Sequence, residues 1–119
     1  MNCTCFEELF IWQEARLVVG GIYEVMRDCK DYGFRDQFQR AAVSIMNNIA
    51  EGFERSSDKD FSLFLKYASG SCGEVRSMSY LAEDFLYLSK EQAESLRLRC
   101  YKVSAGISTL RKYLNQTHG

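Results

Sequence analysis

Residues 37–74 read QFQRAAVSIMNNIAEGFERSSDKDFSLFLKYASGSCGE, two helical patterns joined by one short polar break. On a helical wheel Phe38, Ala41, Ala42, Ile45, Ile49 and Phe53 fall on one side, the apolar stripe of a helix that packs on a core. Beside that stripe, Ser44, Asn48, Glu51 and Arg55 repeat at steps of four, three and four, the spacing of a packed helix seam. The offset between the two rows is about 110°, which sets the polar row on a flank next to a neighbouring helix. Asn48 with Glu51, and Glu51 with Arg55, are close enough along a helix to pair. Two readings of the row stand: a solvated flank, or a row that joins helices or subunits.

Working outward, four helices are predicted at about 6–29, 34–55, 58–88 and 90–115. The first carries a core row of Trp12, Ala15, Val19, Ile22, Met26 and Cys29, with Thr4 as a candidate N-cap and Gly33 as the left-handed residue that ends the turn after it. Ser56, Ser57 and Asp58 supply caps for the third, whose row Phe61, Leu65, Ala68, Cys72, Val75, Ser79, Ala82 and Leu86 alternates fours and threes. Within it, the five small residues 69–73 give up helix propensity, so a close neighbour is expected against them. Ser89 with Gln92 forms a capping box before the fourth helix, which carries Leu96, Cys100, Val103, Ile107, Leu110 and Leu114 and leaves residues 115–119 as a tail. No proline occurs anywhere, so nothing breaks these helices. The fold class expected is all-α: a single-domain, up-and-down antiparallel four-helix bundle over residues 1–119.

Composition excludes several classes. A balance of 46% hydrophobic and 26% charged residues suits a globular domain, and no apolar run approaches the roughly 18 residues that span a bilayer. Five cysteines, an odd number, suit a reducing compartment better than a disulfide framework, so a cytosolic location is expected. Residues 1–94 hold ten basic and sixteen acidic groups, a balance of −6, whereas residues 95–119 hold Arg97, Arg99, Lys102, Arg111 and Lys112 and no acid. Those five cations are the candidate nucleic-acid contacts, set against the plainer reading of a solvated outer face.

Catalysis is not expected. The single histidine, His118, lies next to the C-terminus, which removes a di-iron bundle, a histidine general base and a Ser-His or Cys-His pair. Glu51 and Glu74 remain as isolated carboxylates, and no phosphate-binding glycine loop is present. Cys3 and Cys5 have no third ligand nearby, so no metal and no cofactor are expected.

The runs QRAAVSIMNNIAEGFER and DFSLFLKYASGSCGEV, with Leu9, Trp12 and Ala15 upstream and Ala82 downstream, resemble the four-helix 23S rRNA-intervening-sequence proteins. These are related to the accessory variability protein of diversity-generating retroelements. The likeness rests on Arg40, Ser44, Asn48, Glu51, Gly52, Arg55, Gly70, Ser71 and Glu74, together with Ile49, Ala50, Phe61, Phe64 and Ala68. It implies a ring-shaped homopentamer with no enzymatic activity and, more distantly, contact with RNA or a nucleoprotein. The nine named motif residues are then interface candidates, and no membrane or small-molecule substrate is expected. The alternative is an adaptor that recruits a protein without nucleic acid through Tyr67, Tyr80, Phe85 and Tyr87.

Overall fold

A computed structural model describes residues 3–118. After a single 3-10 turn at Phe6–Glu8 come four helices: α1 (Phe10–Met26), α2 (Tyr32–Phe53), α3 (Asp58–Asp84) and α4 (Lys90–His118). Each helix packs on the two next to it around the bundle, so α1 and α3, and α2 and α4, stand diagonally opposite. This is the up-and-down antiparallel four-helix bundle that the stripes predict, about 46 Å long and 20 by 19 Å across.

The stripes become the core. Phe38, Ala42, Ile45 and Ile49 of α2 meet Leu65, Ala68, Cys72 and Val75 of α3, all fully buried. Burying a side chain the size of Phe38 stabilises the fold by about 2–3 kcal/mol, before the entropy of ordering it is counted. On α1 the buried position is Val18, and Val19 is only half-buried. The row therefore runs Ile11, Ala15, Val18, Ile22 and Met26, a regular four-three-four-four path.

Helix ends hold most of the differences from the sequence reading. The first helix does not run from 6 to 29. Leu9 is extended, with φ −73° and ψ 127°, and drops its side chain into the core. Phe6 folds back onto Trp12 at 5.2 Å between ring centres. Thr4 caps no helix; its hydroxyl donates to the Glu8 carboxylate at 3.1 Å, and Gln13 Nε2 donates to the Glu7 carbonyl at 2.8 Å. Gly33 lies inside the first turn of α2, and no described glycine has positive φ. Asp31 instead caps α2 by accepting the Phe34 N–H at 3.3 Å.

Ser57 caps α3, and Ser89 with Gln92 closes both halves of the capping box at 2.8 and 3.1 Å. Helix α3 stops at Asp84 rather than 88. Leu86, in register with the core row, is 88% exposed at φ 62°, while the Tyr87 N–H reaches back to the Ala82 carbonyl at 2.8 Å. That is a Schellman end with leucine where glycine would be relaxed. At the other terminus α4 continues through residues 115–118, where a tail was expected, and Gly119 lies outside the described residues.

Candidate functional site

Of the motif residues, Ser44, Gly52, Ser71 and Glu74 lie along the seam between α2 and α3. Asn48 Nδ2 donates to the Ser44 carbonyl at 2.8 Å and to Ser44 Oγ at 3.0 Å. Ser44 Oγ in turn lies 2.8 Å from Ser71 Oγ across the seam. Two turns back along α2 and one turn on along α3, Gln37 Nε2 donates to Glu74 at 3.3 Å, so two side-chain hydrogen bonds join α2 and α3. At Gly52 the two helices approach closely. A Cβ there would lie 2.6 Å from Phe64 Cβ and 3.0 Å from Phe61 Cδ1.

The polar row thus divides. Ser44 and Asn48 are half-buried, Ser44 reaching across to α3 and Asn48 bonded back to Ser44 within α2, whereas Glu51 and Arg55 form an exposed ion pair of 3.0 Å. Arg55 also stacks over the Phe64 ring at 4.6 Å. Arg40 is exposed on a shallow polar cleft shared with Tyr23, Asn47, Asn48 and Glu51. Of the small residues, Ser71 is engaged with Ser44, but Gly70 and Gly73 have no heavy atom within 4 Å of where a Cβ would lie. The close neighbour expected there is not supplied by the bundle itself.

The five cations of α4 separate in a way their sequence does not announce. Arg97 donates to Glu83 at 2.8 Å and to Ser79 at 3.2 Å, and lies over the Tyr80 ring at 4.1 Å, its side chain only 12% exposed. Arg99 pairs with Glu14 of α1 at 2.5 Å, and Arg111 donates to buried Ser62 at 3.2 Å. Lys102 and Lys112 are exposed. Three of the five candidate phosphate contacts therefore stitch α4 to α1 and α3. Glu14 was missed as a partner, although its position three residues after Ile11 and four before Val18 puts it on the flank of the core row.

Of the aromatic candidates, Tyr67, Tyr80 and Phe85 are about half exposed, at 49%, 55% and 53%. Tyr87 is half-buried against Phe34 and donates to Asp31 at 2.7 Å. That hydrogen bond, followed by burial and the Asp31 charge, pushes its phenol up to about 12. In the core, Cys72 donates to the Cys100 carbonyl at 3.2 Å and accepts from Ser104 at 3.4 Å. The facing Cys72 sulfur and burial push the Cys100 thiol up, while the same hydrogen bond holds the Cys72 thiol below its ordinary value. Glu51 and Glu74 stand on the surface in separate contacts, and among the described residues no group of three His, Cys, Asp or Glu gathers that could hold a metal.

Residues 7–109 match the 23S rRNA-intervening sequence protein family. The chain belongs to that family. A crystal structure of a protein of unknown function from the S23 ribosomal protein family of Bacteroides thetaiotaomicron shares the fold, with a TM-score of 0.79 at 22% identity. The alignment covers 86% of this chain and 98% of that one. A comparison with curated proteins gives no match. As in any bundle with so many polar positions per helix, no described helix is long and apolar enough to cross a membrane.

Proposed function

We propose that this member of the intervening-sequence family is a non-enzymatic, cytoplasmic scaffold. It works as a homo-oligomer, a ring-shaped homopentamer, that meets RNA or a nucleoprotein. One observation carries the oligomeric part: large apolar and aromatic side chains stand half-exposed along the outside of the bundle. Leu17, Tyr67, Tyr80, Leu98 and Tyr101 are 49–59% exposed, while charged groups such as Glu14 and Arg97 are tucked between helices. A bundle working alone would place its charges outside and its rings inside, and exposed apolar surface of this kind marks contact with other macromolecules. Light scattering coupled to size exclusion tests it. The expected mass is five times 13.7 kDa, and a 13.7 kDa species at micromolar concentration refutes the reading.

With three arginines engaged inside the protomer, a polyanion is met mainly by Lys112 and the other exposed cations of α4. RNA affinity is then weak and falls steeply with salt, because it rests on counterion release. Fluorescence anisotropy with a structured RNA, comparing the wild type with Lys112→Glu at matched oligomeric state, checks this; equal affinities remove α4 as the RNA surface. The exposure of Tyr67, Tyr80 and Phe85 favours a second reading, a protein adaptor that needs no nucleic acid. A purified partner that stays bound after nuclease treatment supports the adaptor, and its release supports RNA.

A further inference from the structure

Helices α3 and α4 each carry a second heptad row, back to back with the one in the core. On α3 it is Leu63, Tyr67, Gly70, Glu74, Ser77 and Leu81, at steps of four, three, four, three and four, and every member is exposed. Each lies two residues beyond a core position, about 200° round the helix and so on the outer side, with Glu74 also accepting from Gln37 at the α2 edge of that side. On α4 the matching row is Leu98, Tyr101, Ala105, Ser108 and Lys112, again exposed throughout. A solvated helix face has no need of heptad spacing, of leucine and tyrosine at 42–59% exposure, or of a glycine.

The contacts inside the protomer fix which residues of α3 and α4 stand at the same height. Ser79 is bonded to Arg97, Cys72 to Cys100 and Ser104, and Ser62 to Arg111. Stepping up α3 one residue for each residue down α4 puts Gly70 level with Ala105. By the same count Tyr67 is level with Ser108, Ser77 with Leu98, and Glu74 with Tyr101 and Lys102. In a ring whose axis runs along the bundle, a rotation keeps level residues level, and α3 of one copy lies antiparallel to α4 of the next. The two outer rows then complement one another in size and charge. Tyr67 meets Ser108 and Leu98 meets Ser77, Gly70 against Ala105 lets the helices approach, and Glu74 comes level with Tyr101 and Lys102.

From these matched rows we infer that the outer face of α3 in one copy of this chain docks on the outer face of α4 in the next. The inference deepens the scaffold reading and rests on it. Geometry also selects this pair of faces over others. α3 and α4 occupy neighbouring corners of the bundle, so their outward faces diverge by roughly 90°, near the turn that closes a ring of a few copies, whereas diagonal α1 and α3 would propagate an open filament. The seam takes up Lys102 and ends at Lys112, whose ammonium stays free at its rim.

The full chain tests the seam by size exclusion with light scattering, with circular dichroism as the check on folding. Gly70→Arg adds bulk where the protomer has open space, so helicity is retained while the mass falls to 13.7 kDa. Glu74→Lys and Lys102→Glu each weaken assembly by about tenfold or more in apparent Kd, and the double variant recovers it. If the wild type assembles and Gly70→Arg assembles equally well, the seam is wrong and the scaffold reading survives. Two weakened single reversals whose combination shows no recovery overturn it in the same way. A monomeric wild type, by contrast, removes the scaffold reading itself.

Discussion

Gly52 offers a quantitative test of how closely α2 and α3 approach. In Gly52→Ala the added methyl would lie 2.6 Å from Phe64 Cβ, an atom fixed to the α3 backbone, so no rotamer change relieves it and the helices must separate. Overpacking of this kind costs about 1–3 kcal/mol. Against it stands the helix-propensity gain of alanine over glycine, up to about 1 kcal/mol and less at the last turn of a helix, where Gly52 sits. The net expectation is a loss of about 1–2 kcal/mol. For 119 residues the entropy of unfolding is about 0.25 kcal/mol/K, so each kcal/mol moves Tm by about 4 °C. Gly52→Ala should therefore melt about 4–8 °C below the wild type, followed by circular dichroism at one fixed protein concentration, since assembly makes Tm concentration-dependent. Gly20→Ala is the internal control: it is exposed, with nothing within 4 Å of the new methyl, and should melt a few degrees higher than the wild type. A Gly52→Ala variant as stable as Gly20→Ala would refute the close approach.

Four further substitutions probe a helix end, an ion pair and a half-buried phenol. Leu86→Gly relieves the left-handed strain at φ 62° and should add about 1 kcal/mol of stability by urea denaturation; a loss would show that Leu86 is held by contacts within the protomer. Arg99→Met leaves the Glu14 carboxylate, 11% exposed, without its cation, and should cost about 2 kcal/mol, less than a fully buried pair because Arg99 is 37% exposed. Glu14→Gln with Arg99→Met should recover part of that loss, and strict additivity would argue against the pair. Tyr87 has its phenol raised from 10.0 to about 12, so the Asp31 bond contributes stability that is complete below pH 10 and is lost as pH rises through about 12. Tyr87→Phe should flatten that alkaline limb, and the difference in tyrosinate absorbance between the two proteins should titrate near 12 rather than 10.

The bundle was legible because period is a strong signal. Rows such as Phe61 to Ala82 and Phe38 to Ile49 alternate fours and threes, and only a helix with a buried flank turns that pattern into a surface. Ser89 with Gln92 was legible for a different reason, since a capping box is a local exchange of two hydrogen bonds that owes nothing to the rest of the fold. The helix ends were not legible where a residue kept the register but left the helix. Leu86 stands four residues after Ala82 and reads as one more core position; its left-handed backbone is set by the bonds that Tyr87 and Leu86 make back to Ala82 and Glu83. Leu9 is the converse, an apolar residue that interrupts the helix so that its side chain reaches the core. Of the candidate site, the Ser44–Ser71 link was half legible: the spacing placed Ser44 on a flank, but only the packing of α2 on α3 says which serine it meets.

The charge asymmetry along the chain has a physical cause that single-helix reasoning cannot reach. Arg97 and Arg99 lie on opposite flanks of the α4 core row, on either side of the line through Leu96 and Cys100. Arg97 reaches Glu83 on α3, and Arg99 reaches Glu14 on α1. In a bundle of the opposite hand α1 and α3 would exchange places beside α4, separating Arg97 from Glu83 and Arg99 from Glu14. Partly buried pairs add little net stability over well-packed apolar residues, but they penalise alternatives strongly, because an unpaired buried charge is costly. Arg97 with Glu83 and Arg99 with Glu14 therefore favour the observed arrangement of α1 and α3 on either side of α4. What is left over on the outside of α4 is a row of leucine, tyrosine and small residues with two lysines, spacing that suits another helix while Lys112 at its end stays open to a polyanion.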